Sequence, residues 1–338
     1  MAVRVGTVSV VLRPRPLIVT ALASVAAVGL ALWSMTVGEL PLSPGEVAAA
    51  FTGDADAAVT YIVVDVRLPR LVLAVLAGAA FGLAGAVLQS VTGNPLASPD
   101  LLGVAAGAGA AAVTCIVLGF DGSAASLSLF ALAGGLLTAA TVFGLAWRGG
   151  MRGTRMLLVG IGLGAVGNAV TSLLIASAGY EDAARATTWL IGDLSGRGWG
   201  DVHRVGWALL VAGPPTLLVG RSLRSLRLGD AVAAALGVRI TRARVALLLL
   251  AVVLTACATA GAGPIAFVGL LAPLIAARAS ATAETPLVAS AATGALLVLV
   301  SDLVARSGPL GLELPVGAVT AVLGAVALLL ILHRANTA

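Results

Sequence analysis

Apolar runs of roughly 20 residues recur along the whole chain, each bounded by a short polar or proline- and glycine-rich stretch. Such a run is long enough to cross the ~30 Å hydrocarbon core of a bilayer as one helix. Spans are read at about Leu17–Met35, Leu68–Val91, Leu101–Leu118, Ala124–Trp147, Met156–Ala178, Val202–Val219, Val245–Ala262 and Pro286–Val304, and Leu314-Pro315-Val316-Gly317 opens a last one. Between the seventh and ninth lies Gly263 to Pro273, too broken by proline and glycine for a regular helix. Irregular backbone at membrane depth is tolerated where it faces protein or a water-lined path. The pattern predicts an all-α polytopic membrane protein of about ten transmembrane helices. No soluble domain fits between the spans, so residues 1–338 form a single transmembrane unit.

The polar stretches carry the remaining information. Residues 38–65 and 179–201 are acidic and read as interfacial segments on one side of the membrane. In the first, Ser43-Pro44-Gly45-Glu46 begins a short helix; in the second, Trp189 and Trp199 read as interface anchors. At Gly93–Asp100 two prolines stop helix propagation and force a turn. The longest basic island, 221–244, holds six arginines. Within it Asp230 to Leu236 reads as a short helix, with Asp230 in position to cap the first amides and Gly237 where the chain turns out. Ala231, Ala234, Ala235 and Val238 give that helix a shallow face. Arginines that only hold a loop on one side explain the charge. They do not explain a capped helix flanked by Leu226-Arg227-Leu228-Gly229 and Leu236-Gly237-Val238, which reads as a docking element for a cytoplasmic partner.

Composition agrees. The chain is 59% hydrophobic and 10% charged, against about 25% charged residues in soluble domains. With the first segment inside, fourteen arginines fall on the inner side and six outside, namely Arg67, Arg70, Arg185, Arg197, Arg204 and Arg306. That asymmetry follows the positive-inside rule and places both termini in the cytoplasm. The arginines are confined to short loops, which argues against nucleic acid as a partner. The sequence contains no lysine, so it has no GxxxxGK phosphate loop, and any ATP that drives it is bound by another chain. Cys115 and Cys257 lie in apolar runs without a CxxC or a neighbouring histidine, and read as packing residues. His203 and His333 fall at opposite ends of the topology and assemble neither a metal site nor an acid–base pair. An ion-coupled carrier is disfavoured because acidic residues stay near span ends.

Taken together and in order, six motifs resemble the FecCD family. They are RLPR at 67–70, GAAFGLAGAVLQS at 78–90, NPLASPDLLG at 94–103, LGDAVAAALGV at 228–238, GPIAFVGLLAP at 263–273 and ELPVGAVTA at 313–321. This family comprises the permease subunits of bacterial ABC importers for ferric siderophores, haem and vitamin B12. The stretches LAWRGG…RMLLVGIGLG and LRSLRLGD are most similar to its G-type subunits of ferric-enterobactin importers. The resemblance implies a type II ABC importer permease fold in the bacterial cytoplasmic membrane. It also implies a second permease subunit, with a heterodimer favoured over a homodimer, two cytoplasmic ATPase subunits carrying ATP and Mg, and an extracytoplasmic siderophore-binding protein. The permease itself binds no cofactor.

Residue by residue, Leu228, Gly229, Asp230, Ala231, Ala234, Ala235, Leu236 and Gly237 match the ATPase-coupling helix. Arg67, Arg70 and Arg306 match external arginines that receive carboxylates of the binding protein; on the residues alone they read as interfacial anchors. Gly153 and Thr154 match the loop that narrows the cytoplasmic exit, and Asn168, Thr171 and Ser172 form a polar patch on a helix that lines the path. The same three residues also suit interhelical hydrogen bonding. The chain departs from the family pattern at Gly93, at Leu274 and at Gly324 to Leu328, where the last-helix Gly-x-Pro-x-Phe is missing.

Overall fold

The computed structural model describes residues 2–5, 8–11, 14–38, 40–120, 123–146, 153–307 and 313–336. Among the charges that set the topology, Arg13, Glu39, Arg148 and Arg152 lie outside these residues. A short antiparallel hairpin comes first, β1 (Ala2–Val5) against β2 (Val8–Val11), with Ala2 opposite Val11. Every other described element is helical. In order these are α1 (Pro14–Ser34), α2 (Pro44–Thr52), α3 (Ala57–Thr60), α4 (Leu68–Thr92), α5 (Val104–Val117), α6 (Ala124–Ala146), α7 (Gly153–Ser177) and α8 (Tyr180–Ile191). There follow α9 (Trp199–Val219), α10 (Ser222–Leu226), α11 (Asp230–Ala235), α12 (Ile240–Ala262), α13 (Val268–Ala279), α14 (Leu287–Arg306) and α15 (Val316–Asn336). Among the described residues, seven helices are long and apolar enough to cross a membrane, and α5, α13 and α15 supply three shorter apolar ones. They coincide with the ten segments read from hydropathy.

The bundle is organised around α4, which packs on α14, α12, α13 and α9. Small residues make this possible, because helix association in lipid rests on close van der Waals approach. Gly78 and Gly82 of α4 lie directly on the backbone of Gly294 and Ser290 in α14, and Gly85 lies on the carbonyl of Gly269 in α13. A Cβ at any of the three would collide with main chain. Around these crossings Leu73, Val87, Leu254 and Leu299 are fully buried or nearly so. A second layer of α5, α6 and α7 closes around Val104, Val142 and Leu248.

The structure extends the expected elements in two places. The second span begins earlier than its apolar run: Ala57 to Thr92 is continuous helix, with α3 joined to α4 through a π-helical turn at Tyr61–Arg67. The eighth segment is irregular only to Phe267, which adopts a left-handed φ of 65°; α13 then carries Pro273 inside it. Gln89 of α4 donates its Nε2 to the Leu270 carbonyl (3.0 Å) in this weakened turn. The Phe267 side chain sits against Gly324 of α15, so the glycine of the altered last-helix motif is a packing contact. The two tryptophans read as interface anchors make contacts within the fold. Trp189 is buried among Ala108, Ala112, Ala131 and Ala260, and Trp199 donates to the Val64 carbonyl (3.1 Å) in the π turn.

Candidate coupling, docking and path sites

The 221–244 loop is more ordered than its charge suggests. After α9 ends at Gly220, α10 turns Leu223 and Leu226 into the main buried cluster, and Ala233 of α11 joins them with no exposure. These three anchors press the loop onto the bundle. The expected cap differs. The residue before α11 is Gly229, at φ 96°, with no side-chain cap, and Asp230 is the first helical residue. Its carboxylate is held bidentately by Arg244 of α12, with Nη2–Oδ1 at 2.8 Å and Nη1–Oδ2 at 3.0 Å. A planar guanidinium fork fixes orientation as well as distance, so Asp230 clamps the helix to α12 instead of capping it. Gly237, at φ 81°, ends the helix in the predicted turn. Outward from these anchors, Leu228, Val232 and Leu236 are 63%, 44% and 62% exposed. Val232 lies on α11 and Leu236 directly after it, while Leu228 stands before the turn at Gly229 and outside the helix; with exposed Ala231, Ala234 and Ala235 they leave an apolar surface on this part of the loop. Val232 and Arg244 were legible only from helical spacing and from charge pairing across fourteen residues.

On the opposite side the three arginines are buried, not presented. Arg67 donates to the carbonyls of Met35 and Leu40. Arg70 Nε lies 2.8 Å from Asp302 Oδ1, with Nη1 3.7 Å from Glu313. Arg306 Nη2 lies 2.8 Å from Asp302 Oδ2 and also donates to the Ser34 hydroxyl. Asp302 is completely buried between the two guanidiniums. The three arginines expected to receive carboxylates of a binding protein thus each have partners within the chain, which tie the end of α1 and the following loop to α4 and α14. The physical cause is Asp302, whose pairing potential the sequence reading left unused. A similar brace stands nearby, where buried Asp201 accepts from Arg204 Nη2 (2.6 Å) and from Ser128 of α6 (3.4 Å).

The α7 residues separate into two sides. Thr171 is buried and its hydroxyl donates to its own helix at Gly167 (2.9 Å), whereas Asn168 and Ser172 lie one turn apart on the exposed side. Gly153 and Thr154 stand in the first turn of α7 and not in a loop. The sequence reading also passed over Asp100. It lies in a 3-10 turn, Pro99–Leu102, enclosed by α4, α5, α7, α12 and α13. Water reaches the carboxylate, yet the surrounding helices remove most of the longer-range solvent, and desolvation pushes it up to about 6.

Ten apolar helices crossing on glycines, with a clamped helix held out from one end, define an integral-membrane transport subunit. The chain belongs to the FecCD transport family, whose model matches residues 25–334. It is 40% identical over 319 residues to the ferric enterobactin transport system permease protein FepG of Escherichia coli (strain K12), covering 94% of this chain and 96% of that one. It is 35% identical over 312 residues to the vitamin B12 import system permease protein BtuC of Serratia proteamaculans (strain 568), covering 90% of each. Among solved structures, a metal-chelate type ABC transporter in an inward-facing conformation superposes with a TM-score of 0.82 at 28% identity, covering 94% of this chain and 99% of that one.

Proposed function

We propose that this chain is the permease subunit of an ATP-driven importer that moves a ferric siderophore across the bacterial cytoplasmic membrane. The observation that carries the reading is the exposed apolar surface of Leu228, Val232 and Leu236, on and beside a helix, α11, that is clamped to α12 and seated on the α4 core. A surface of this kind transmits force from a partner because it cannot yield alone. The partner is a separate ATPase, which supplies nucleotide and Mg, since the chain has no phosphate-binding lysine. A second permease subunit, as a heterodimer, and an extracytoplasmic binding protein complete the assembly. Asn168 and Ser172 are assigned to the path and the first turn of α7, with Gly153 and Thr154, to its inner constriction. Arg67, Arg70 and Arg306 are assigned to bracing the outer face on which the binding protein lands. Identity to FepG over almost the whole chain supports the siderophore reading; vitamin B12 is the alternative that the likeness to BtuC favours.

Ala234→Arg places a long cation on the shallow side of α11, where nothing in the chain opposes it. Membrane insertion is expected to stay normal while co-purification of the ATPase and chelate uptake both fall at least about tenfold, a change of about 1.4 kcal/mol. Full co-purification with normal uptake would remove the coupling assignment. Uptake of a ferric catecholate set against cobalamin, in cells carrying only this importer, separates the two substrate readings.

Orientation has its own test. In a background without Cys115 and Cys257, a cysteine at the 90%-exposed Tyr180 is expected to react with an impermeant thiol reagent in intact cells, and one at Leu236 only after permeabilisation. Labelling of position 236 from outside would invert the topology.

A further inference from the structure

Between the starts of α1 and α14 and the ends of α4 and α9 lies a cavity of about 380 Å³, closed on one side by α10. All four helix ends lie on the side of the bundle that carries α11. Two kinds of surface meet there. Leu17, Leu217, Leu287 and Val288 provide apolar wall, and Leu17 and Val288 are 48% and 52% exposed. Along α1 the exposure continues through Ile18, Leu22 and Val25, so this helix faces lipid. Against these walls stand Arg221, Arg224 and Arg227, opposed by one acid, Glu284, which lies 3.3 Å from Arg224 Nε. Among the described residues the guanidiniums of Arg221 and Arg227 have no acidic partner. The cavity therefore holds a net charge of about +2 beside hydrocarbon, at the level where a helix bundle meets the inner leaflet.

We infer that this cavity binds an anionic phospholipid, its phosphate on Arg221 and Arg227 and its upper acyl chain against Leu17 and Val288. A basic pocket between membrane helices on the cytoplasmic side suits a lipid phosphate, because guanidinium forks match phosphate oxygens and the inner leaflet supplies the anion. A free phosphate would use the cations and leave the apolar wall without purpose. The ATPase is the less suited occupant, because the exposed apolar surface of Leu228, Val232 and Leu236 does not line the cavity. Because α10 connects this cavity to α11 within a few residues, a bound lipid steadies the base of the coupling loop.

The test uses the full-length chain, purified and stripped of lipid, then titrated with phosphatidylglycerol, cardiolipin, phosphatidylcholine and inorganic phosphate. Retained lipid is counted by native mass spectrometry. The informative variant is Arg221→Ala with Arg227→Ala, which orphans no acid. Its control, Arg239→Ala with Arg242→Ala, removes the same charge from the same loop outside the cavity. Wild type and control are expected to retain anionic lipid at least tenfold more strongly than the cavity variant, with phosphatidylcholine and phosphate weak throughout. Equal losses in both variants would reduce the effect to bulk charge and overturn the site. Tight saturable binding of phosphate alone would replace the lipid with a free anion. Undiminished retention in the cavity variant, with native-like thermal unfolding, would also refute the assignment.

Discussion

Asp302→Ala is expected to destabilise the subunit by about 3–5 kcal/mol, the range found when one partner of a buried ion pair is removed and its mate is stranded. Here one buried carboxylate serves two guanidiniums, and its loss leaves Arg70 with the more distant Glu313, at 3.7 Å, and Arg306 with its Ser34 contacts. The loss should be read as a lower thermal-unfolding temperature in detergent and a smaller folded yield in membranes. Asp302→Asn retains one acceptor and should fall between wild type and the alanine variant. Arg70→Ala should cost less than Asp302→Ala, because Arg306 then keeps its partner. Binding-protein affinity, measured on the surviving folded fraction, should change little if these arginines brace the outer face. A normal unfolding temperature together with lost affinity would return them to the role of contact charges.

Gly85→Ala is the second large effect. An added Cβ meets the Gly269 carbonyl, which is main chain and cannot swing aside. Ordinary overpacking of a core costs about 1–3 kcal/mol because side chains give way; the α4–α13 crossing has no side chain to give, so the cost is expected at or above the top of that range. Gly29→Ala in α1 is the control, with nothing within 4 Å of the added atom. Folded yield of the first should collapse while the second matches wild type. Equal yields would mean that α4 and α13 can separate, and the central crossing would lose its place in the fold.

Hydropathy located nine of the apolar helices, and the place of a tenth segment that was read as too broken for a regular helix, because lipid imposes a length and a polarity that one sequence can display. What it could not display was pairing over distance. Asp302 and Arg70 are 232 residues apart, and Asp230 and Arg244 sit on different helices, so each charge looked free when read locally. The same limit misplaced Trp189, whose partners come from α5, α6 and α12. Residues 38–65 were read as one acidic interfacial segment, yet from Ala57 onward they are helical, and the π turn carries Asp65 and Arg67 without breaking the helix. Pro273 argued against a helix that α13 nevertheless forms, with Gln89 supplying a bond from outside. The short helix of the 221–244 loop was placed within one residue because its signals, a first-turn acid and a closing glycine, are local.

The apolar surface on and beside α11 has a meaning for the cell before any cargo arrives. Three large apolar side chains held rigidly in water form a patch that will bind whatever similar surface comes near. Under the proposed function, a chain newly released into the membrane carries this uncovered surface until an ATPase covers Leu228, Val232 and Leu236. On that reading, copies made in excess of the ATPase are the ones left with an uncovered apolar surface.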